Sequence, residues 1–142
     1  MKMKLALVAA MLALVAISVV AAQEGDPPPG SIKLLPGYRH KTEQGIDTAV
    51  GRIWKEGGLT ITYDIGRLAG HYAGPDAHAD FLWRKEQMLG EQVVWCALTK
   101  EGQLIITFAK TSANFFAKVK TQEDIAEVLL MILSYQEKRP PS

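Results

Sequence analysis

The stretch "GRIWKEGGLTITYDIG", residues 51–66, decides the fold class of this chain. Apolar and polar side chains alternate from Leu59 to Ile65. Because successive side chains on a strand point to opposite faces of a sheet, the alternation predicts one apolar and one polar face, as in a half-buried antiparallel strand. Gly57 and Gly58 can adopt the positive φ angles of a tight turn. We therefore expect a β-hairpin from about Arg52 to Ile65.

The second half of the chain continues with short extended runs that turn residues separate. The runs are "QVVWCALT" (92–99), "QLIITFA" (103–109) and "NFFAKV" (114–119), and "KEG" (100–102) marks a hairpin turn between the first two. Extended runs that recur at a spacing of roughly ten residues are typical of an all-strand meander.

The segment from Pro75 to Gly90 admits two interpretations. As a helix it would begin at Pro75 and end at Gly90, but Lys85 would fall in the middle of its apolar face. As a strand it would run from about Phe81 to Met88 and turn into the run that follows. We favour the strand because it maintains the spacing of the meander.

Residues 121–135, "TQEDIAEVLLMILSY", predict a C-terminal helix. Thr121 and Asp124 form a capping-box pattern, in which each side chain accepts a hydrogen bond from an otherwise unpaired backbone N–H. Four polar residues form one narrow stripe at helical spacing: Glu123, Glu127, Ser134 and Lys138. Since nearly every other position is apolar, we expect the helix to be largely buried.

These elements together predict an α+β fold. We expect an antiparallel β-sheet of about five to six strands in hairpin or meander order, with one C-terminal helix packed on its apolar face.

The first 22 residues have the order of a secretory signal peptide. Lys2 and Lys4 precede an uncharged stretch from Leu5 to Ala22 that ends in small residues, and we expect cleavage after Ala22. The alternative is a retained membrane anchor, since the 18 uncharged residues reach the lower limit for spanning a bilayer. Cleavage would place the mature protein outside the cytoplasm, in the periplasm or secreted.

The mature chain would have 142 − 22 = 120 residues, enough for one small domain. The run "QEGDPPPG" cannot form regular structure, so residues 23–36 are expected to be a Pro-rich flexible leader and residues 37–139 a single domain. Without Lys2 and Lys4, 14 basic residues face 15 acidic ones. This balance provides no electrostatic footprint for nucleic acid.

Sequence motifs of the common catalytic classes are absent. The chain has no G-x-S-x-G, H-E-x-x-H, C-x-x-C, G-x-x-x-x-G-K or G-x-G-x-x-G. Cys96 is the only cysteine, so no disulfide can form within the chain. It lies in an apolar run, and we expect it to be a buried, unreactive thiol.

The stretch "GHYAGPDAHAD", residues 70–80, is the candidate metal site. It brings together His71, Asp76, His78 and Asp80, and imidazole and carboxylate groups are ordinary zinc ligands. However, Gly74 and Pro75 separate the two histidines, so no regular element fixes their geometry. The alternative is a solvated loop, since such residues are common in loops for conformational reasons.

Arg39 and Trp54 are candidates for binding a partner. Arginine presents a fork of donors to carboxylates and other anions, and tryptophan is enriched at binding hot spots. Strand alternation places Trp54 opposite to Ile53, so one of the two faces away from the helix. The alternative for Arg39 is a charged loop balanced by Glu43 and Asp47.

We expect a non-catalytic exported module that binds a protein or a small ligand at the cell envelope. One alternative is a small exported metal-binding protein or hydrolase that uses residues 71–80, with zinc as the possible cofactor. Another is a membrane-tethered structural protein that retains the N-terminal segment. No nucleic-acid partner is expected, and the oligomeric state is left open.

Overall fold

A computed structural model describes residues 25–137 of the chain. It contains seven strands and one helix over this range: β1 (Tyr38–Glu43), β2 (Ala49–Lys55), β3 (Thr60–Ile65), β4 (Phe81–Leu89), β5 (Gln92–Thr99), β6 (Gln103–Phe108), β7 (Ala113–Lys118) and α1 (Gln122–Ile132). The expected hairpin is confirmed as β2 and β3, and the segment with two interpretations is a strand, β4. The predicted signal peptide or anchor lies outside the described residues.

All seven strands form one antiparallel sheet in the order β1-β2-β3-β7-β6-β5-β4. The sheet therefore consists of two meanders, β1–β3 and β4–β7, that are joined where β3 pairs with β7. The strand missing from the predicted five or six is β1. Its alternation is hard to read because only Tyr38 and His40 point inward, and one of them is a histidine.

One face of the sheet carries the main core. Buried side chains from six neighbouring strands meet those of α1 there, and they include Tyr38, Ile53, Ile61, Val94, Leu104, Phe108 and Phe115 from the strands and Val128, Met131 and Ile132 from the helix. The helix begins with the predicted capping box: the Asp124 N–H donates to Thr121 Oγ1 at 3.1 Å, and the Thr121 N–H donates to the Asp124 carboxylate at 3.2 Å. We call this face of the sheet the helix side.

The expectation that α1 is largely buried is wrong for its outer surface. Leu130 is 67% exposed and Leu133 is 37% exposed. Two residues of the polar stripe instead contact β1 and the segment before it: Glu127 accepts a hydrogen bond from the Tyr38 hydroxyl at 2.5 Å, and Ser134 accepts one from the Lys33 N–H at 3.1 Å. Polar side chains with partners of this kind can be buried in place of apolar ones.

The segment before β1 packs on the domain. Ile32 lies in the main core with 5% of its surface exposed, and the Ser31 hydroxyl donates to the Ser134 carbonyl at 2.7 Å. Asp26 is bound to the outer edge of β1, where its N–H donates to the His40 carbonyl and its carboxylate accepts from the Thr42 N–H. The packed domain therefore begins before residue 37, and the described part of the expected leader is anchored to it.

The connection from β3 to β4 crosses the other face of the sheet. Because β3 and β4 lie on opposite sides of β7, β6 and β5, residues 66–80 must pass over these three strands. We call residues 66–80 the strap and this face the strap side. The fully buried Ala73 of the strap packs there against Trp95, Ala97 and Ile105, which form a second, smaller core. No helix among residues 25–137 has the length and apolar character needed to cross a membrane.

A candidate binding face on the strap side

Two buried polar side chains of the sheet attach the strap. Asn114 is fully buried, and its side-chain oxygen accepts from the Tyr72 N–H at 3.1 Å while its amide nitrogen donates to the Gly70 carbonyl at 2.9 Å. Thr107 donates its hydroxyl to the same Asn114 oxygen at 2.7 Å and accepts from the Ala73 N–H at 3.0 Å. The strap backbone has no ladder partners of its own, so these side chains supply the hydrogen bonds that its buried groups need.

His71 is held on the sheet by its ring. Its Nε2 lies 2.9 Å from the Ala109 carbonyl and 3.3 Å from Ser112 Oγ, and its ring packs 5.2 Å from that of Trp95. A carbonyl can only accept a hydrogen bond, so Nε2 carries the proton and donates it to Ala109.

The contact between Ser112 and His71 has the residue types of a nucleophile and its base. In a working pair of this kind, the base accepts the proton of the hydroxyl group. Nε2 is already protonated as the donor to Ala109, so it cannot accept from Ser112 in this arrangement. Ser112 has a positive φ of 47°, which fits its position in the tight turn between β6 and β7. The geometry does not support serine chemistry at this turn.

A groove of about 850 Å³ lies between the strap and the end of the sheet where β5 and β7 finish. Its floor is formed by side chains of the sheet and its wall by strap residues between Ala69 and Ala79. The lining includes Tyr72, Asp76 and His78 from the strap, Glu101 from a turn, and Gln103, Ile105, Phe116 and Lys118 from β6 and β7. The rings of Tyr72 and Phe116 meet edge to face at 5.0 Å.

The four candidate metal ligands do not form one cluster. His71, Asp76 and His78 line the groove, but Asp80 is outside the lining and forms an exposed ion pair with Lys100 at 3.8 Å. Among residues 25–137, no group of three or more His, Cys, Asp or Glu side chains is placed to hold a metal ion. Zinc binding by these residues stays a prediction that their arrangement does not support.

The strap leaves the strap side of β1, β2 and β3 uncovered. Ile53 is fully buried on the helix side, so Trp54 points to the strap side, where it is half-buried. Arg39 on β1 lies directly opposite Trp54, and Thr60 on β3 lies opposite it on the other side. The Arg52 guanidinium is 4.9 Å from the centre of the Trp54 ring. The two binding candidates are therefore neighbours on one surface.

A second row of side chains connects this surface to the groove. Lys41 lies opposite Arg52, Arg52 opposite Thr62, Thr62 opposite Phe116, and Phe116 opposite Ile105. With strands about 4.8 Å apart, the row extends about 19 Å across five strands. We call Arg39, Lys41, Arg52, Trp54, Thr60 and Thr62 the open face, and the open face together with the groove the binding face.

Sequence reasoning missed Arg52, Phe116 and the groove residues outside residues 70–80. Alternation along each strand indicates which side chains share a face, but it does not indicate which strands are neighbours. The open face meets the groove only because β3 pairs with β7, two strands that are separated by 47 residues of chain, from Ile65 to Ala113.

His40, which lies beside Arg39 in the sequence, belongs to the interior instead. It is 2% exposed, its Nδ1 lies 3.0 Å from the Asp26 carbonyl and its Nε2 lies 2.7 Å from the Tyr63 hydroxyl. The proton is therefore on Nδ1, which donates to the carbonyl, and Nε2 accepts from Tyr63. Burial raises the pKa of Tyr63, which keeps its hydroxyl protonated as the donor. Both ring nitrogens of His40 are used.

Cys96 is buried on the helix side. Burial raises the pKa of its thiol, so the reactive thiolate form is disfavoured. No protein-family model, curated protein or solved structure matches the chain, so its function has to be inferred from this geometry.

Proposed function

We propose that this protein is a non-catalytic binding module that acts outside the cytoplasm and holds its ligand or partner on the binding face. The observation that carries the proposal is the unequal covering of the sheet. The helix side is covered by α1 and the segment before β1, whereas on the strap side only β5, β6 and β7 lie beneath the strap. The half that no part of residues 25–137 covers presents a half-buried tryptophan, two arginines and a lysine, and it continues into a groove of about 850 Å³.

The residue types on this face suit binding. Concave sites that combine apolar walls with a few convergent polar groups are the usual places for ligands, and tryptophan and arginine are the residues that contribute most to interfaces. Three side chains of the types that catalysis uses have other contacts: His71 donates to a backbone carbonyl, both nitrogens of His40 are bonded, and Cys96 is buried. These contacts favour binding over catalysis.

The location of the site is testable without knowledge of the ligand. The ¹⁵N-labelled protein would be titrated by NMR with a library of small polar and aromatic fragments, because such fragments collect at true binding sites. We expect shifts to concentrate on the Trp54 indole N–H and on the amides of Gln103 and Lys118. A Trp54→Phe variant assigns the indole signal. Fragments that collect on the helix side, or that show no preferred location, would contradict the proposal.

The proposed compartment has its own test. Export with cleavage predicts that the protein recovered from its natural source begins at Gln23. N-terminal sequencing that finds Met1 instead would favour the membrane-tethered alternative, and the binding face would then act at the membrane surface.

A further inference from the structure

We propose that the ligand of the open face is an anionic polysaccharide, one whose sugar rings carry carboxylate groups. This inference rests on the proposed function and specifies its ligand class. It follows from the charge of the open face, the chemistry of its side chains, and the geometry of a sheet surface.

The open face is cationic at its outer edge. Arg39, Lys41 and Arg52 are exposed there. The next row of side chains on the same side of the sheet carries two carboxylates, Glu43 on β1, which pairs with Arg52 at 3.4 Å, and Asp64 on β3. Within residues 25–137, no ion pair engages Arg39 or Lys41.

The position of Lys41 destabilises the sheet when no ligand is bound. Lys41 lies directly opposite Arg52 on the neighbouring strand, and like charges in directly opposed positions destabilise a sheet. Glu43 pairs with Arg52 and offsets part of this repulsion, and a bound carboxylate at Lys41 would relieve the rest. The fork of donors on Arg39 would hold a second carboxylate with two parallel hydrogen bonds.

The uncharged side chains of the open face suit a sugar ring. Trp54 presents a half-buried ring that can pack against the apolar C–H groups of a pyranose. Thr60 and Thr62 are exposed on the neighbouring strand, in line with Trp54 and Arg52, and their hydroxyls can donate to and accept from sugar hydroxyls. Arg39 and Thr60 therefore each lie one strand spacing from Trp54, on opposite sides of it.

Other polymers fit this surface less well. A peptide in extended form binds through the hydrogen-bonding edge of a sheet, and the open face offers side chains rather than an edge. A lipid surface requires exposed aliphatic side chains to enter the bilayer, and the open face has none. A single strand of DNA binds by stacking successive bases on aromatic side chains, and the open face has one aromatic residue, Trp54.

The experiment measures affinity of the purified protein for four soluble polymers of similar length by isothermal titration calorimetry at low salt. The polymers are polygalacturonate as the carboxylated polysaccharide, dextran as the neutral one, polyglutamate as the acidic peptide, and oligothymidylate as the nucleic acid. We expect polygalacturonate to bind at least tenfold more tightly than the other three, and its affinity to fall as salt rises because charged contacts are screened.

The variants identify the surface. We expect Arg39→Gln and Lys41→Gln each to weaken polygalacturonate binding about fivefold or more, and Trp54→Ala to weaken it further. Lys85→Gln on β4 is the matched control, because it removes the same charge at the opposite end of the sheet and should leave binding unchanged. Circular dichroism melting of each variant shows whether it remains folded.

Each contrary outcome has a distinct meaning. Equal binding of dextran would overturn the requirement for charge and leave the proposed function intact. Tighter binding of polyglutamate or oligothymidylate would overturn the polysaccharide as the ligand. Failure of all four polymers, while fragments still collect on the binding face, would overturn this inference alone. Failure of polymers and fragments together would overturn the proposed function as well.

Discussion

Replacement of Asn114 by alanine tests whether the strap depends on one buried amide. The side chain makes three well-formed hydrogen bonds, with the Tyr72 N–H, the Gly70 carbonyl and the Thr107 hydroxyl. A hydrogen bond in a folded protein contributes about 1 kcal/mol net, so the loss of three lowers the free energy of unfolding by about 3 kcal/mol. The partner groups of the strap would also lie buried and unpaired unless the strap moves away from the sheet.

Thr107 provides a graded comparison. Thr107→Val removes two hydrogen bonds with little change in shape, to Asn114 and from the Ala73 N–H, and should lower the free energy of unfolding by about 2 kcal/mol. Thr107→Ser keeps the hydroxyl and removes one methyl group, so its cost should be about 0.8 kcal/mol. Urea unfolding, followed by circular dichroism, measures all three variants.

Hydrogen exchange shows which part of the protein Asn114→Ala destabilises. The Tyr72 and Ala73 amides donate to Asn114 and Thr107, so their protection in Asn114→Ala should fall by about 100-fold, as a loss near 3 kcal/mol implies. Amides in the centre of β6 should lose less protection from exchange, because local opening of the strap leaves the strands of the sheet hydrogen-bonded. The reasoning is refuted if Asn114→Ala costs less than about 1 kcal/mol, or if protection at Tyr72 is unchanged.

Three further predictions concern the helix side. Gly51→Ala would place a Cβ atom 2.3 Å from the Tyr63 hydroxyl and 2.6 Å from the Lys41 carbonyl. Because these groups would have to move apart, the free energy of unfolding measured with urea should fall by about 2 kcal/mol. Tyr38→Phe leaves Glu127 without its partner and should cost about 1 kcal/mol at pH 7 by the same assay. Cys96 should react with a thiol reagent at pH 8 far more slowly in the native protein than in urea, since burial raises its pKa, and equal rates would contradict its buried position.

The contribution of Tyr38 to the stability of the folded protein should decrease at alkaline pH. Burial and the neighbouring Glu127 carboxylate raise the pKa of Tyr38 in the folded state above its value in the unfolded chain. Above pH ~10 the unfolded state therefore releases this proton first, and stability falls as pH rises. Tyr38→Phe should make this alkaline loss shallower, and an unchanged slope would show that Tyr38 is not its source.

Gly58→Ala is the control for Gly51→Ala. A Cβ atom at Gly58 meets only the Lys55 side chain, at 3.4 Å, which is ordinary van der Waals contact. We therefore expect little change in stability. A comparable loss in both variants would show that the cost comes from the glycine backbone rather than from the close approach of the Tyr63 hydroxyl to β2.

Sequence patterns predicted correctly the elements that depend on interactions between residues close together in the chain. The alternation from Leu59 to Ile65 predicted β3, the turn residues predicted its hairpin with β2, and the Thr121 capping box predicted the start of α1. The predicted burial of α1 was wrong at Leu130, because the amount of helix surface that a sheet covers depends on where the helix lies and not on its composition.

The candidate site was predicted only in part. Arg39 and Trp54 were identified by residue type, and the structure makes them direct neighbours. The prediction of a metal site at residues 71–80 identified the right segment, but it did not anticipate that His71 holds the strap on the sheet. That role depends on the Ala109 carbonyl, which is 38 residues away in the chain, and no sequence pattern relates the two.

The sequence by itself indicated six of the seven strands, where the C-terminal helix begins, and which side chains share a face of each of these strands. These properties depend on neighbours within a few residues, through the periods of strand and helix and through capping. Only the tertiary structure decided that β3 pairs with β7, that residues 66–80 therefore cross the sheet, and that Trp54 and the groove share one surface. Several strand orders would satisfy the same alternation, and the choice among them rests on long-range packing and on buried partners such as Asn114.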